Sequence, residues 1–221
     1  MSISNQLIEI KSSLPNAVTL VAVSKTKPNA AVTEAYEAGQ RIFGENKVQE
    51  LCEKQETLPK DIQWHMIGHL QSNKVKYIAP FVSLIHGVDS LKLLKEINKQ
   101  GKKVGRKIPV LLQMFIAEEE SKFGFDEAEL KGLLKSEAFL EFKNIEVKGL
   151  MGMATNTSNQ DQIKKEFSGL KKLFTEVKTT YFSNNSNFSE ISMGMSGDYQ
   201  IAIEHGSTMV RVGSAIFGER N

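Results

Sequence analysis

The chain has 221 residues, 40% apolar and 24% charged, with a net charge of +2. That composition suits a folded protein with a sizeable core, and the near-neutral charge leaves no electrostatic case for nucleic acid or an anionic membrane. No apolar run approaches the ~20 residues of a membrane-spanning helix, and Cys52, the only cysteine, excludes an internal disulfide and suits a reducing compartment.

Residues 1–6 lack the charged start and apolar block of a signal peptide, so a cytoplasmic location is expected. The apolar run 18–25 ends in Lys25 and reads as a strand buried on both faces. Residues 30–39 read as a helix closed by Gly39, and 41–46 as a second strand ending in Glu45 and Asn46 before a helix from Lys47. Residues 64–69 form the third predicted strand and 84–89 the fourth. An amphipathic helix follows over 90–101, with Leu91, Leu93, Leu94 and Ile97 on one stripe. The fifth strand spans 108–116, a helix 126–135, the sixth strand 147–154 and a long helix 161–178. After a polar loop at 183–189 come the seventh strand at 190–196, a helix at 199–204 and the eighth strand at 209–217.

Eight strands alternating with helices predict parallel pairing through right-handed crossovers, and so one α/β domain over 1–221 built as a single (β/α)8 TIM barrel. The competing open sheet lacks its usual Gly-x-Gly-x-x-Gly after the first strand. A barrel collects the carboxyl ends of its strands on one face, where ligands bind. Those ends include Lys25, Glu45, Asn46, His69, Asp89, Ser196, Gly213 and Ser214. A lysine amine near apolar walls can attack carbonyls. Ser196 in the seventh loop reads as an N-cap whose neighbouring N–H groups point at an anion, and Gly213 allows close approach in the eighth. Loops seven and eight are where barrels often hold phosphate. Arg211 lies two residues before Gly213, so both face the interior, where a guanidinium demands acceptors: a ligand atom, or a carboxylate such as Glu45 or Glu219.

Amine, phosphate cradle and inward arginine together suggest pyridoxal 5′-phosphate (PLP) joined to Lys25 as an imine. Arginine cannot keep the pyridine nitrogen protonated as a carboxylate does, so the ring would be a poor electron sink. His65 and His69 share a strand face by spacing but have no further ligands for a metal and read instead as a core histidine and a polar loop residue, while His86 and His205 are isolated and read as structural. Lys122 reads as a solvated loop lysine, with secondary capture of an aldehyde as the alternative.

Residues 21–25, 43–46, 64–74, 149–154, 192–198 and 211–218 resemble, in order and without large gaps, the PLP homeostasis proteins (the YggS/PROSC type) of the alanine racemase N-terminal superfamily. The resemblance implies an alanine racemase N-terminal-domain-like barrel, PLP on Lys25, Arg211 at the pyridine nitrogen, phosphate around Ser196, Gly213 and Ser214, and Asn46 and His69 nearby. It implies a non-catalytic role in PLP homeostasis, holding PLP reversibly and supplying or buffering it, with apo PLP-dependent enzymes as recipients and a monomer as the working form. Racemase-like enzymes add a β-domain whose tyrosine serves as second base. No such domain is expected after the eighth strand, and the PLP face is expected to be open to water. Two other readings use the same Lys25: a PLP-dependent amino-acid racemase and a cofactor-free Schiff-base aldolase.

Overall fold

Side chains alternate along a strand, so in a closed barrel every second residue points at the axis and the others point at the surrounding helices. In a computed structural model that describes residues 2–118 and 123–219, eight parallel strands close in sequence order. They are β1 (Thr19–Val23), β2 (Ile42–Glu45), β3 (Gln63–Met66), β4 (Leu84–Val88), β5 (Ile108–Met114), β6 (Ile145–Gly152), β7 (Glu190–Met195) and β8 (Met209–Val212). Pairing of β8 with β1, from Thr19↔Met209 to Ala22↔Val212, closes the ring and removes the sheet edge.

Around the strands run α1 (Ile3–Ser13), α2 (Asn29–Glu37), α3 (Val48–Thr57), α4 (Val75–Ile78), α5 (Leu91–Lys103), α6 (Glu127–Lys135), α7 (Glu137–Leu140), α8 (Gln160–Tyr181), α9 (Tyr199–Glu204) and α10 (Ser214–Phe217). Caps set several of their starts. Ser90 Oγ accepts from Leu93 N at the head of α5, and Asp126 and Glu129 form a reciprocal capping box at α6. The outer core lies between helices and strands and includes Phe43, Trp64, Phe167 and Leu170, with the Phe43 and Trp64 rings 5.9 Å apart. A separate inner cluster fills the barrel: Val21, Leu84, Leu111, Met151 and Met209, one residue from each of five strands. Among the described residues no helix is long and apolar enough to cross a membrane.

Several elements differ from the sequence reading, among them the short helices α4 and α7, which it lacked. The eighth strand does not run to Phe217: it stops at Val212, Gly213 turns the chain, and residues 214–217 form α10, which buries Ile216 and Phe217 in the outer core. The apolar run 209–217 is continuous because both pieces are buried, and periodicity does not separate a buried strand from a buried helical turn. Helix α1, absent from that reading, packs Leu7 and Ile10 into the outer core at helical spacing.

Gly149 on β6 sits beside the register shift in the β5–β6 ladder, and a Cβ there would lie 1.8 Å from the Glu190 carbonyl oxygen. Gly149→Ala is therefore expected to lower the urea-unfolding free energy by more than ~3 kcal/mol, or to prevent folding. Gly132→Ala, on the open face of α6 with no atom within 4 Å of the new methyl, is expected to raise it by ~0.5–1 kcal/mol.

Candidate functional site

A cavity of about 460 Å³ opens at the carboxyl end of the barrel, within the size range of small-molecule sites. Its walls include all seven residues singled out from the sequence: Lys25, Asn46, His69, Ser196, Arg211, Gly213 and Ser214. Lys122 lies outside the described residues.

Lys25 follows β1 by two residues and continues the inward face of Val21 and Val23. The turn beneath it is held from α3. Thr26 adopts φ +64°, unusual for a β-branched residue, and its N–H donates to Glu50 Oε1 at 2.7 Å. Lys54, buried on the same helix, spends its three donors on Glu50 Oε1, Glu45 Oε1 and the Ser24 carbonyl, each at 2.8 Å. Ser24 Oγ donates to Glu45 Oε1 at 2.6 Å. Burial pushes the Glu45 carboxyl up from the usual range, with the Lys54 ammonium opposing, and its Oε2 has no partner among the described residues. Glu45 is thus committed to Lys54 and not to Arg211, while Glu219 meets Lys27 through its backbone carbonyl.

Asn46 presents in the cavity wall a buried Oδ1 that has no hydrogen-bond partner among the described residues. Gly68 lies against it so closely that a Cβ would fall 2.6 Å from Asn46 Cβ, which lets the chain leave β3 and bring His69 to the rim. His69 Nδ1 is 3.2 Å from Asp89 Oδ2, and its ring centroid is 5.4 Å from that of Phe123. His69 and His65 do not share a strand face as expected: β3 ends at Met66, leaving His69 in the loop with a 55% exposed side chain and His65 buried in the barrel.

On the opposite wall, Ser196 Oγ accepts from Gly213 N at 3.1 Å. Ser196 is not the N-cap of α9. Asp198 holds that position, and its carboxylate turns back to accept from Met195 N, which leaves the Ser196 hydroxyl for the neighbouring loop. Burial pushes the Asp198 carboxyl up. Gly213 passes β1 tightly, its would-be Cβ 3.2 Å from Val23, and heads α10, whose first-turn N–H groups have no acceptor within the helix.

Arg211 is 4% exposed and stands at the cavity floor. It donates to Ser192 Oγ and to the Gly152 carbonyl, using two of five N–H groups. Among the described residues no carboxylate forms an ion pair with it. Burial lowers its pKa to about 10, with Asp198 opposing, so it remains charged at neutral pH. Behind Ser192 the contacts continue to His86 Nδ1 at 3.0 Å and from His86 Nε2 to His65 Nδ1 at 3.0 Å. Burial holds His65 down to about 3 and His86 well below its ordinary value. Ser192 went unnoticed in the sequence and His86 read as isolated. The signal was available, since His86 follows Leu84 by two on β4, and Leu84 faces the axis.

Comparisons with known proteins agree with this arrangement. The chain belongs to the alanine racemase N-terminal domain family, whose model matches residues 2–221. It is 40% identical over 206 residues to the pyridoxal phosphate homeostasis protein of Aquifex aeolicus (strain VF5), covering 93% of this chain and 88% of that one. It is 39% identical over 211 residues to the protein of the same name from Escherichia coli (strain K12), covering 94% and 88%. Among solved structures, PipY of Synechococcus elongatus PCC7942 with PLP bound superposes with a TM-score of 0.89 at 35% identity, covering 98% of this chain and 100% of that one. An alanine racemase from Bartonella henselae, 18% identical with a TM-score of 0.77, covers 98% of this chain and 58% of that one and shares the fold.

The two buried histidines give the fold a pH dependence. Their folded pKa values lie below the unfolded value near 6.5, so the unfolded chain binds more protons in acid and stability falls as pH drops from 6.5 toward about 3. Each should contribute a slope of ~1.4 kcal/mol per pH unit below pH 6. Urea unfolding of wild type and His65→Gln between pH 7 and pH 5 should show a slope shallower by about that amount in the variant. Equal slopes would mean that His65 titrates in the folded protein.

Proposed function

We propose that this member of the alanine racemase N-terminal domain family binds PLP in the barrel cavity and serves intracellular PLP homeostasis. In this reading it holds the cofactor reversibly through Lys25 and supplies or buffers it without turning over amino acids. The carrying observation is that an amine, a guanidinium with no carboxylate ion pair among the described residues and a serine–glycine cradle line one 460 Å³ cavity. The relatives named above for PLP homeostasis, and PipY solved with PLP bound, support the same reading.

The residues fit the group. Asn46 Oδ1 is a buried polar atom in the wall with no partner among the described residues, and Gly213 passes Val23 so closely that a Cβ in the cradle would crowd it at 3.2 Å. Ser196, Ser214 and the N–H groups around Gly213 are suited to a phosphate, and the unspent donors of Arg211 to a neutral ring nitrogen. When bound, PLP supplies an aldehyde that condenses with amines and a ring that withdraws electrons. Lys25 contributes the amine. Arg211 donates but cannot accept, so it leaves the ring nitrogen unprotonated and the ring a weak electron sink.

Non-catalytic use is supported by what lines the cavity. None of the four tyrosines, Tyr36, Tyr77, Tyr181 and Tyr199, is among its wall residues. Phe123, Met153 and Met195 at the mouth are 54%, 41% and 40% exposed, which leaves the site open to incoming amines. The recipients we propose are apo PLP-dependent enzymes, served by a monomer. The His69–Asp89 pair favours one second reading, a racemase with His69 as proton carrier. Solvent deuterium appearing at Cα of free amino acids at enzymatic rates, and lost in Lys25→Ala, would establish it in place of homeostasis.

Titration of the apo-protein with PLP should produce a visible band that Lys25→Ala lacks, and Ser196→Ala should weaken binding by roughly 3- to 10-fold. Holo-protein mixed with an apo-enzyme should restore that enzyme's activity faster than PLP released spontaneously. Restoration no faster than spontaneous release counts against supply.

A further inference from the structure

Four buried polar side chains span the barrel between the apolar inner cluster and the cavity: His65 on β3, His86 on β4, Ser192 on β7 and Arg211 on β8. Their contacts form one continuous chain of hydrogen bonds. Its direction follows from chemistry. Arg211 has donors only, so Ser192 Oγ must accept from it. Ser192 is 0% exposed and its own proton needs an acceptor, and among the described residues the partner that can take it is His86 Nδ1. His86 then carries its proton on Nε2 and donates to His65 Nδ1, so His65 carries its proton on Nε2 as well. The reverse direction would give Ser192 two incoming donors and strand its own hydroxyl proton in a dry interior.

We propose that Ser192, His86 and His65 are positioning residues, a neutral one-way relay that holds the Arg211 guanidinium in register with the ring nitrogen of the cofactor. The proposal rests on the PLP reading above and deepens it. Ser192 Oγ and the Gly152 carbonyl, from β7 and β6, fix two donors of the guanidinium and so set where the others point. The histidines bring polarity without charge, and burial keeps them neutral. Among the described residues Arg211 is then the one cation of this layer, and its remaining donors are left for a ligand acceptor. Any group that tightens or loosens Ser192 changes the angle at which Arg211 meets that acceptor, while the phosphate cradle just beyond the ends of β7 and β8 is held by its own bond from Gly213 N to Ser196 Oγ.

The test reads the relay in the apo-protein and its effect in the holo-protein. Nitrogen-15 correlation spectra of the four histidines, assigned with His69→Gln and His205→Gln, should show His65 and His86 both protonated on Nε2 and bare on Nδ1. Ser192→Ala should move the absorbance maximum of bound PLP and the nitrogen-15 shift of ring-labelled PLP, and weaken PLP binding about tenfold. It should leave the affinity for inorganic phosphate unchanged, and Ser192→Thr should restore the wild-type spectrum. A proton on Nδ1 of either histidine overturns the relay. So does a Ser192→Ala protein whose PLP spectrum and affinity match wild type, and wild-type protein that takes up no PLP overturns the cofactor reading itself.

Discussion

A buried guanidinium is the constraint around which this barrel is arranged. Moving such a charge out of water costs several kcal/mol even after relaxation, and a carboxylate is the usual compensation. Arg211 instead meets a hydroxyl and a carbonyl, both neutral, and retains its charge. The layer beneath it is apolar, and the layer around it is polar without charge. Its unspent donors therefore remain for whatever occupies the cavity. An unprotonated ring nitrogen answers that demand, and the same arrangement makes a PLP ring poor at stabilising carbanions. In the proposed function, tight holding and weak catalysis would both follow from this one side chain.

The neighbouring wall, at β1 and β2, uses charge differently. Glu45, Lys54 and Glu50 are drawn together under the turn that carries Lys25, and Glu50 fastens the N–H of Thr26. A non-glycine residue in the left-handed region costs of order 1–3 kcal/mol, which persists only when surrounding contacts over-determine it. Here the over-determination comes from α3, through a lysine whose every donor is satisfied. The strain sits one residue from the amine. The cluster thus places Lys25 through the backbone.

Much of this was legible because a barrel converts sequence order into geometry. Once eight strands are read, their carboxyl ends must meet, and Lys25, Asn46, His69, Ser196, Arg211, Gly213 and Ser214 do meet around one cavity. What stayed hidden depends on contacts between distant elements. Lys54 is an ordinary surface position in a helical pattern, and its partner Ser24 lies 30 residues away. Ser192 and His86, 106 residues apart, face each other only because β4 and β7 bound the same interior. The end of β8 was misread for a different reason: Ile216 and Phe217 are as buried as a strand would make them, and only the turn at Gly213 marks the change. Ser196 was misplaced as a cap because Asp198, two residues on, competes for the same role.

The most direct measurement is borohydride reduction of PLP-loaded protein followed by peptide mapping of the modified residue. Lys25 and Lys27 both line the cavity, so the experiment has an internal rival. Phosphopyridoxyl on Lys25 alone is the expected result, since Lys25 continues the inward face of β1 and Lys27 reaches out to the Glu219 carbonyl. Label on Lys27, on scattered surface lysines, or on none would contradict it.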